Sequence, residues 1–126
     1  MPFIHIKSLP FEKPFVVNDV LTGLNRDFSK ATGIPLVHIH SSWEFLAPGH
    51  YAKGDQAPLH QPFCHHPLMI DLLTPDFNNE KKIGVMLERI ASSLSERTGF
   101  NQSNIFINHR QAHSLMVYDD GEIVSW

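Results

Sequence analysis

Apolar and polar side chains alternate over residues 3–8, Phe-Ile-His-Ile-Lys-Ser. Such alternation, carried by β-branched isoleucines, predicts a strand. Leu9 to Pro14 holds two prolines and reads as a loop. The period then changes. Val17, Val20, Leu21, Leu24, Phe28 and Ala31 recur at spacings of three and four, which is one face of a helix of about four turns. Gly33 closes that helix and Pro35 prevents its resumption. Leu36 to Phe45 reads as a second strand, with Val37 and Ile39 on one face and His38 and His40 on the other.

The rest of the chain repeats this plan. Pro67 to Leu73 predicts a short apolar strand that Thr74-Pro75-Asp76 breaks, and Ile83, Leu87, Ile90 and Leu94 form a second helical stripe. Thr-Gly ends both helices, at Thr32-Gly33 and Thr98-Gly99, and Asn104 to Asn108 begins another strand. The matched order and length of the halves point to one internal repeat. Two strand–helix–strand units imply parallel strand pairs with right-handed crossovers. Set side by side, they predict an α+β fold: a four-stranded sheet with two helices on one face. Residues 1–126 read as one domain, with repeat one at about 2–45, a connecting loop at 47–66, repeat two at about 67–114 and a closing hairpin at 115–126. Asp120-Gly121 is the hairpin's two-residue turn, between Met116–Tyr118 and Ile123–Val124. The helix-free face of the sheet is expected to carry Phe3, His5, His38, His40, Met69, Asp71, Phe106 and Asn108. Parallel strands seldom leave a face in water, and no third helix is available, so oligomerisation is expected to cover it.

Composition narrows the function. A length of 126 residues suits a single domain. Ten basic and thirteen acidic side chains give a net charge of −3, without the basic excess of a nucleic-acid binder. Cys64 is the one cysteine, which excludes an internal disulfide and fits a reducing compartment. No apolar run approaches the ~20 residues of a membrane helix, and no signal peptide is read. These readings predict a cytoplasmic protein acting on neither membrane nor nucleic acid. Nine histidines stand out.

The Met-Pro start, the alternating first strand, the two βαβ halves, Ala31-Thr32-Gly33-Ile34-Pro35 and Asn104-Ile105-Phe106-Ile107-Asn108 together resemble the tautomerase superfamily. The likeness is nearest to the macrophage migration inhibitory factor and 5-carboxymethyl-2-hydroxymuconate isomerase types, in a bacterial branch. It implies a cofactor-free homotrimer with sites at subunit junctions, acting as a tautomerase or isomerase on a small keto–enol acid. It also implies that Pro2, freed by removal of Met1, is the catalytic general acid/base. A secondary amine that is neutral near working pH moves protons between carbon and oxygen, and nearby cations or burial keep it neutral. A proline that merely starts an edge strand is the other reading of Pro2.

The resemblance carries over unevenly. A tyrosine and an asparagine two apart on the strand after helix two correspond to Phe106 and Asn108, so the phenol is lost and the amide kept. A lysine after Thr-Gly is replaced by Ile34. In the 4-oxalocrotonate type an arginine on the second strand corresponds to His38, and an arginine near the first loop to Glu12 or Lys13. His38, His40 and Arg110 are therefore expected to bind substrate with Asn108, Phe106 forming an apolar wall and His5 lying nearby. Histidine stabilises developing negative charge or relays protons, and it also serves simply as a hydrogen-bonded residue within a buried sheet. The lost lysine and phenol leave open a non-catalytic binding or structural trimer. His50, His60, Cys64, His65 and His66 raise a third reading, a metal-binding loop, although their spacing matches no standard zinc pattern. The site is otherwise expected to hold no metal.

Overall fold

The computed structural model describes residues 1–126. Strand β1, Phe3–Ser8, buries Ile4 and Ile6 on one side and presents Phe3, His5 and Lys7 on the other. Helix α1, Val17–Thr32, follows the loop and ends at Gly33, whose φ of 76° is the left-handed conformation that a closing glycine adopts without strain. Strand β2, His40–Phe45, pairs parallel with β1. Strand β3, Leu68–Pro75, pairs antiparallel with β1 and parallel with β4, Ile105–Ala112, while helix α2, Glu80–Thr98, makes the second crossover. The sheet order is β2-β1-β3-β4. The α+β architecture, with two βαβ units side by side, is therefore as the sequence pattern predicts.

Both helices pack on one face of the sheet. Ile4, Ile6, Ile70 and Leu72 meet Leu24 and Phe28 of α1 and Ile90 and Leu94 of α2. Each such fully buried side chain contributes roughly 1.5–3 kcal/mol of transfer free energy. Helix α1 also touches α2 through Asp27, which accepts hydrogen bonds from Ser93 Oγ at 2.6 Å and from Arg97 Nε and Nη2 at 3.2 and 3.0 Å. Gly23 makes this possible, because a side chain there would occupy the space of the Arg97 guanidinium.

Three local expectations change. Residues Leu36–His38 form a single 3-10 turn rather than strand, closed by bonds from His38 N to Pro35 O and from Ile39 N to Leu36 O. Pro35 fixes the entry to that turn, so Val37 is exposed while Ile39 is buried, and His38 leaves the open sheet face. Strand β3 runs on through Thr74 and Pro75, because β4 still pairs there whereas β1 has ended at Phe3. The missing Pro75 N–H thus faces no strand partner. The last strand starts at Ile105, after a 3-10 turn at Gln102–Asn104.

The chain closes with a hairpin of β5, Val117–Asp119, and β6, Glu122–Val124. Its Asp120-Gly121 turn has φ of 50° and 83°, the doubly positive pattern that matches strand twist. The helix-free face of the sheet is open in the single chain. Phe3, His40, Phe106, Asn108 and Arg110 are exposed on it, and Met69 and Asp71 are half-buried. No helix is long and apolar enough to cross a membrane.

A candidate active site around Pro2

Pro2 is buried at the head of β1, where its carbonyl accepts a 3.0 Å bond from His40 N. It lines a cavity of about 600 Å³ between the end of α1 and the start of α2. Ile34 and His38 after α1, and Thr74, Phe77, Lys81 and Lys82 before and within α2, line it together with Met1 and Pro2. The sequence places these groups for local reasons. The 3-10 turn swings His38 off the sheet, and the extension of β3 brings Thr74 to the cavity wall. Asn79 caps α2, its side chain accepting from Lys82 N at 2.9 Å.

The electrostatics of the cavity have one sign. No carboxylate lines it, whereas Lys81 and Lys82 do. The first turn of α2 adds unpaired N–H groups and the positive end of the helix dipole. The cavity suits a small anion beside Pro2. Lysines in a first helical turn oppose that dipole, which is the signal the sequence offered. Read alone, Lys81-Lys82 is most simply a solvated face, and both side chains are exposed.

Next to Thr74 sits a histidine that sequence reasoning did not single out. His109 Nε2 lies 2.7 Å from Thr74 Oγ1. Burial against the helix side of the sheet lowers its pKa from the usual histidine value.

Within one chain the expected substrate residues divide. Pro2 and His38 share the cavity. His40 instead stacks on Phe3 across the open face, with ring centres 4.3 Å apart. Phe106 and Asn108 line a separate recess of about 430 Å³ with Lys7, Tyr51 and Asp71. Arg110 Nε lies 3.7 Å from Asp71 Oδ1 on the same open face. The cause is strand alternation: Pro2 follows the parity of the buried Ile4, while Phe3, His40, Phe106, Asn108 and Arg110 point the opposite way. Glu12 and Lys13 line a groove with Phe63 and Phe100, near the end of β1 remote from Pro2.

The histidine-rich loop does not converge on an ion. No group of three or more His, Cys, Asp or Glu side chains is placed to hold a metal. His66 is buried and its ring is enclosed, with Nδ1 2.9 Å from His65 Nδ1 and Nε2 2.9 Å from Gln56 O and 3.2 Å from Lys53 N. Cys64 is exposed beside it.

No protein-family model matches the chain, and no curated protein matches its sequence. Solved structures do match along nearly its whole length. The protein Pt0534, inactivated by 2-oxo-3-pentynoate, is 17% identical and superposes with a TM-score of 0.80 over 97% of this chain and 94% of that one. A wild-type fused 4-OT, an asymmetric trimer, is 11% identical with a TM-score of 0.79 over 96% and 94%. The macrophage migration inhibitory factor of Oncomelania hupensis is 15% identical with a TM-score of 0.75 over 99% and 83%. These are tautomerase superfamily members. The chain has their fold. The likeness read from the repeated βαβ frame thus extends to the three-dimensional architecture of the tautomerases.

Proposed function

We propose that this tautomerase-fold protein is a cofactor-independent tautomerase that uses Pro2, after removal of Met1, as general acid/base on a small keto–enol acid. The observation that carries the reading is the placement of Pro2 inside a cavity lined by cations and by no carboxylate. Lys81, Lys82 and the first turn of α2 hold the substrate carboxylate. The same positive charges disfavour protonation of the Pro2 amine and keep it available as a base. It takes a proton from the carbon next to the keto group and returns it, or performs the reverse at the enol.

We further propose a homotrimer packed through the open sheet faces. Phe3 and Phe106 are exposed there, and their burial between subunits would drive assembly. Such packing would place Phe106, Asn108 and Arg110 at the junction between protomers, apart from the Pro2 cavity of their own chain. The second reading is a trimer of this fold without catalysis. It is favoured by Phe106, which lacks a phenol, and by Met1, which shares the cavity with Pro2. Ketonisation of the enol of phenylpyruvate by Met1-free protein, compared with its Pro2→Ala variant, separates the two. A loss of at least about 10²-fold in the variant supports general acid/base catalysis, and equal rates support the binding trimer.

A further inference from the structure

The antiparallel register pairs Phe3 with Leu73 and Ile4 with Leu72. Continued by one residue, it sets Pro2 across from Thr74 on the helix side of the sheet, where both are buried. The parallel register pairs Leu72 with His109, so His109 faces the same side, one strand further on. Pro2 and Thr74 therefore lie across from each other, and His109, two residues before Thr74's own partner Gln111, completes a diagonal row across three strands. Thr74 lines the Pro2 cavity, and its Oγ1 has two partners: His109 Nε2 at 2.7 Å and its neighbour's carbonyl, Pro75 O, at 3.2 Å.

We propose that the Thr74 hydroxyl is the group that stabilises the substrate's enolate oxygen opposite Pro2, and that His109 positions and polarises it from behind. This rests on the reading of Pro2 as the reacting amine. His109 Nε2–H donates to Thr74 Oγ1, and Thr74 O–H turns from the long Pro75 contact to donate to the oxygen on which negative charge develops. No net proton transfer to either side chain is needed. Thr74 is a catalytic residue in this scheme and His109 a positioning residue. Geometry supports the role, since Thr74 O–H is already donated to Pro75 O and leaves Oγ1 to accept from Nε2–H, while burial favours the neutral imidazole. A donor in place before charge develops acts most strongly where water is excluded.

The probe is 2-oxo-3-pentynoate, applied to Met1-free protein with Cys64 replaced by serine so that the exposed thiol does not compete. The Pro2 nitrogen adds to C4 of the conjugated alkyne. A C–N bond forms, one π bond breaks, its electron pair moves through the conjugated system to the ketone oxygen, and the amine proton ends on C3. Nothing leaves, so the adduct has the mass of protein plus reagent. The limiting inactivation rate reports the step in which the ketone oxygen gains charge, and the half-saturating concentration reports binding.

Thr74→Val is expected to lower the limiting rate by about 10²-fold or more with half-saturation little changed, and Thr74→Ser to restore most of it. His109→Phe is expected to lower the rate about tenfold, a loss typical of a group that orients a reacting one. His109→Gln, whose amide N–H can reach Thr74, is expected to recover that loss. The Ser and Gln variants keep the test decisive should Val or Phe disturb folding. Equal limiting rates in Thr74→Val and the parent would overturn the inference while leaving Pro2 as nucleophile. Loss in every variant, Ser and Gln included, would make the row merely structural. Absence of a Pro2 adduct in the parent would overturn the Pro2 reading itself, and this inference with it.

Discussion

The indole nitrogen of Trp126 donates a 2.7 Å hydrogen bond to Oδ1 of Asp76, tying the last residue of the chain to the end of β3. His113 Nδ1 binds the other oxygen at 2.9 Å, and Phe77, which lines the Pro2 cavity, meets the Trp126 ring edge-on. The bonds from Trp126 and His113 hold the Asp76 carboxyl below the usual carboxylate range. A depressed folded-state pKa stabilises docking above the unfolded value and loses that contribution as pH falls through the folded one. The Trp126 indole N–H resonance should therefore move towards its free position only below pH about 4, and at all pH values in Asp76→Ala. An Asp76→Ala spectrum identical to the parent's would show that the bond does not hold the terminus.

Asp27 joins the two helices in the same way but in a drier setting. Burial works against its ionisation, yet the hydrogen bonds from Ser93 and Arg97 and the charges of Arg97 and Arg89 outweigh burial and lower its pKa. Asp27→Ala should cost about 2 kcal/mol at pH 7, the scale of a hydrogen bond to a charged group. The sign again follows a depressed carboxyl: the difference is full above pH about 4 and shrinks as Asp27 of the parent protonates. Urea midpoints of parent and variant at pH 7 and pH 3 give the comparison. A gap that persists unchanged at pH 3 would place the effect in packing rather than charge.

Lys81 and Lys82 should show opposite effects on stability and binding. Each sits in the first turn of α2, against the dipole, where neutralisation relieves about 0.3–1 kcal/mol. Lys81→Gln/Lys82→Gln is expected to melt slightly higher than the parent. It should bind a keto acid at least tenfold more weakly, a loss of about 1.4 kcal/mol, with binding of the methyl ester unaffected. Calorimetric melting and titration with both ligands test the pair, and equal losses for acid and ester would remove the carboxylate from the account.

The repeated frame was legible because period and punctuation agree. Alternation at Phe3–Ser8, the stripe through Leu24 and Phe28, and glycines 33 and 99 each obey a local rule that burial of one face then enforces. The site was harder to read. Pro2 and His38 meet in the cavity, but His38 arrives through a 3-10 turn that a β-rich run beginning at Leu36 concealed. Thr74 looked like a strand breaker beside Pro75, because where a strand ends depends on its neighbours' lengths rather than on its own residues. Lys81 and Lys82 reach the cavity, and His109 reaches Thr74 behind it, through tertiary placement, and no periodicity reports that.

The open sheet face gives a prediction about assembly. Phe106 is 60% exposed in the single chain, so a carboxylate at that position is tolerated by the monomer and rejected by a dry interface. Phe106→Glu should shift the sedimentation coefficient from trimer to monomer with little change in circular dichroism. A parent that sediments as a monomer would remove the trimer from the account.

The proposed chemistry turns on a Pro2 amine kept neutral by its surroundings. Its most direct test is titration of the Pro2 nitrogen by ¹⁵N NMR in Met1-free protein. The cationic, carboxylate-free cavity predicts a pKa clearly below the ~7.7–8.0 of an ordinary α-amino group. A value at or above that range would contradict it and leave Pro2 as the residue that leads into β1.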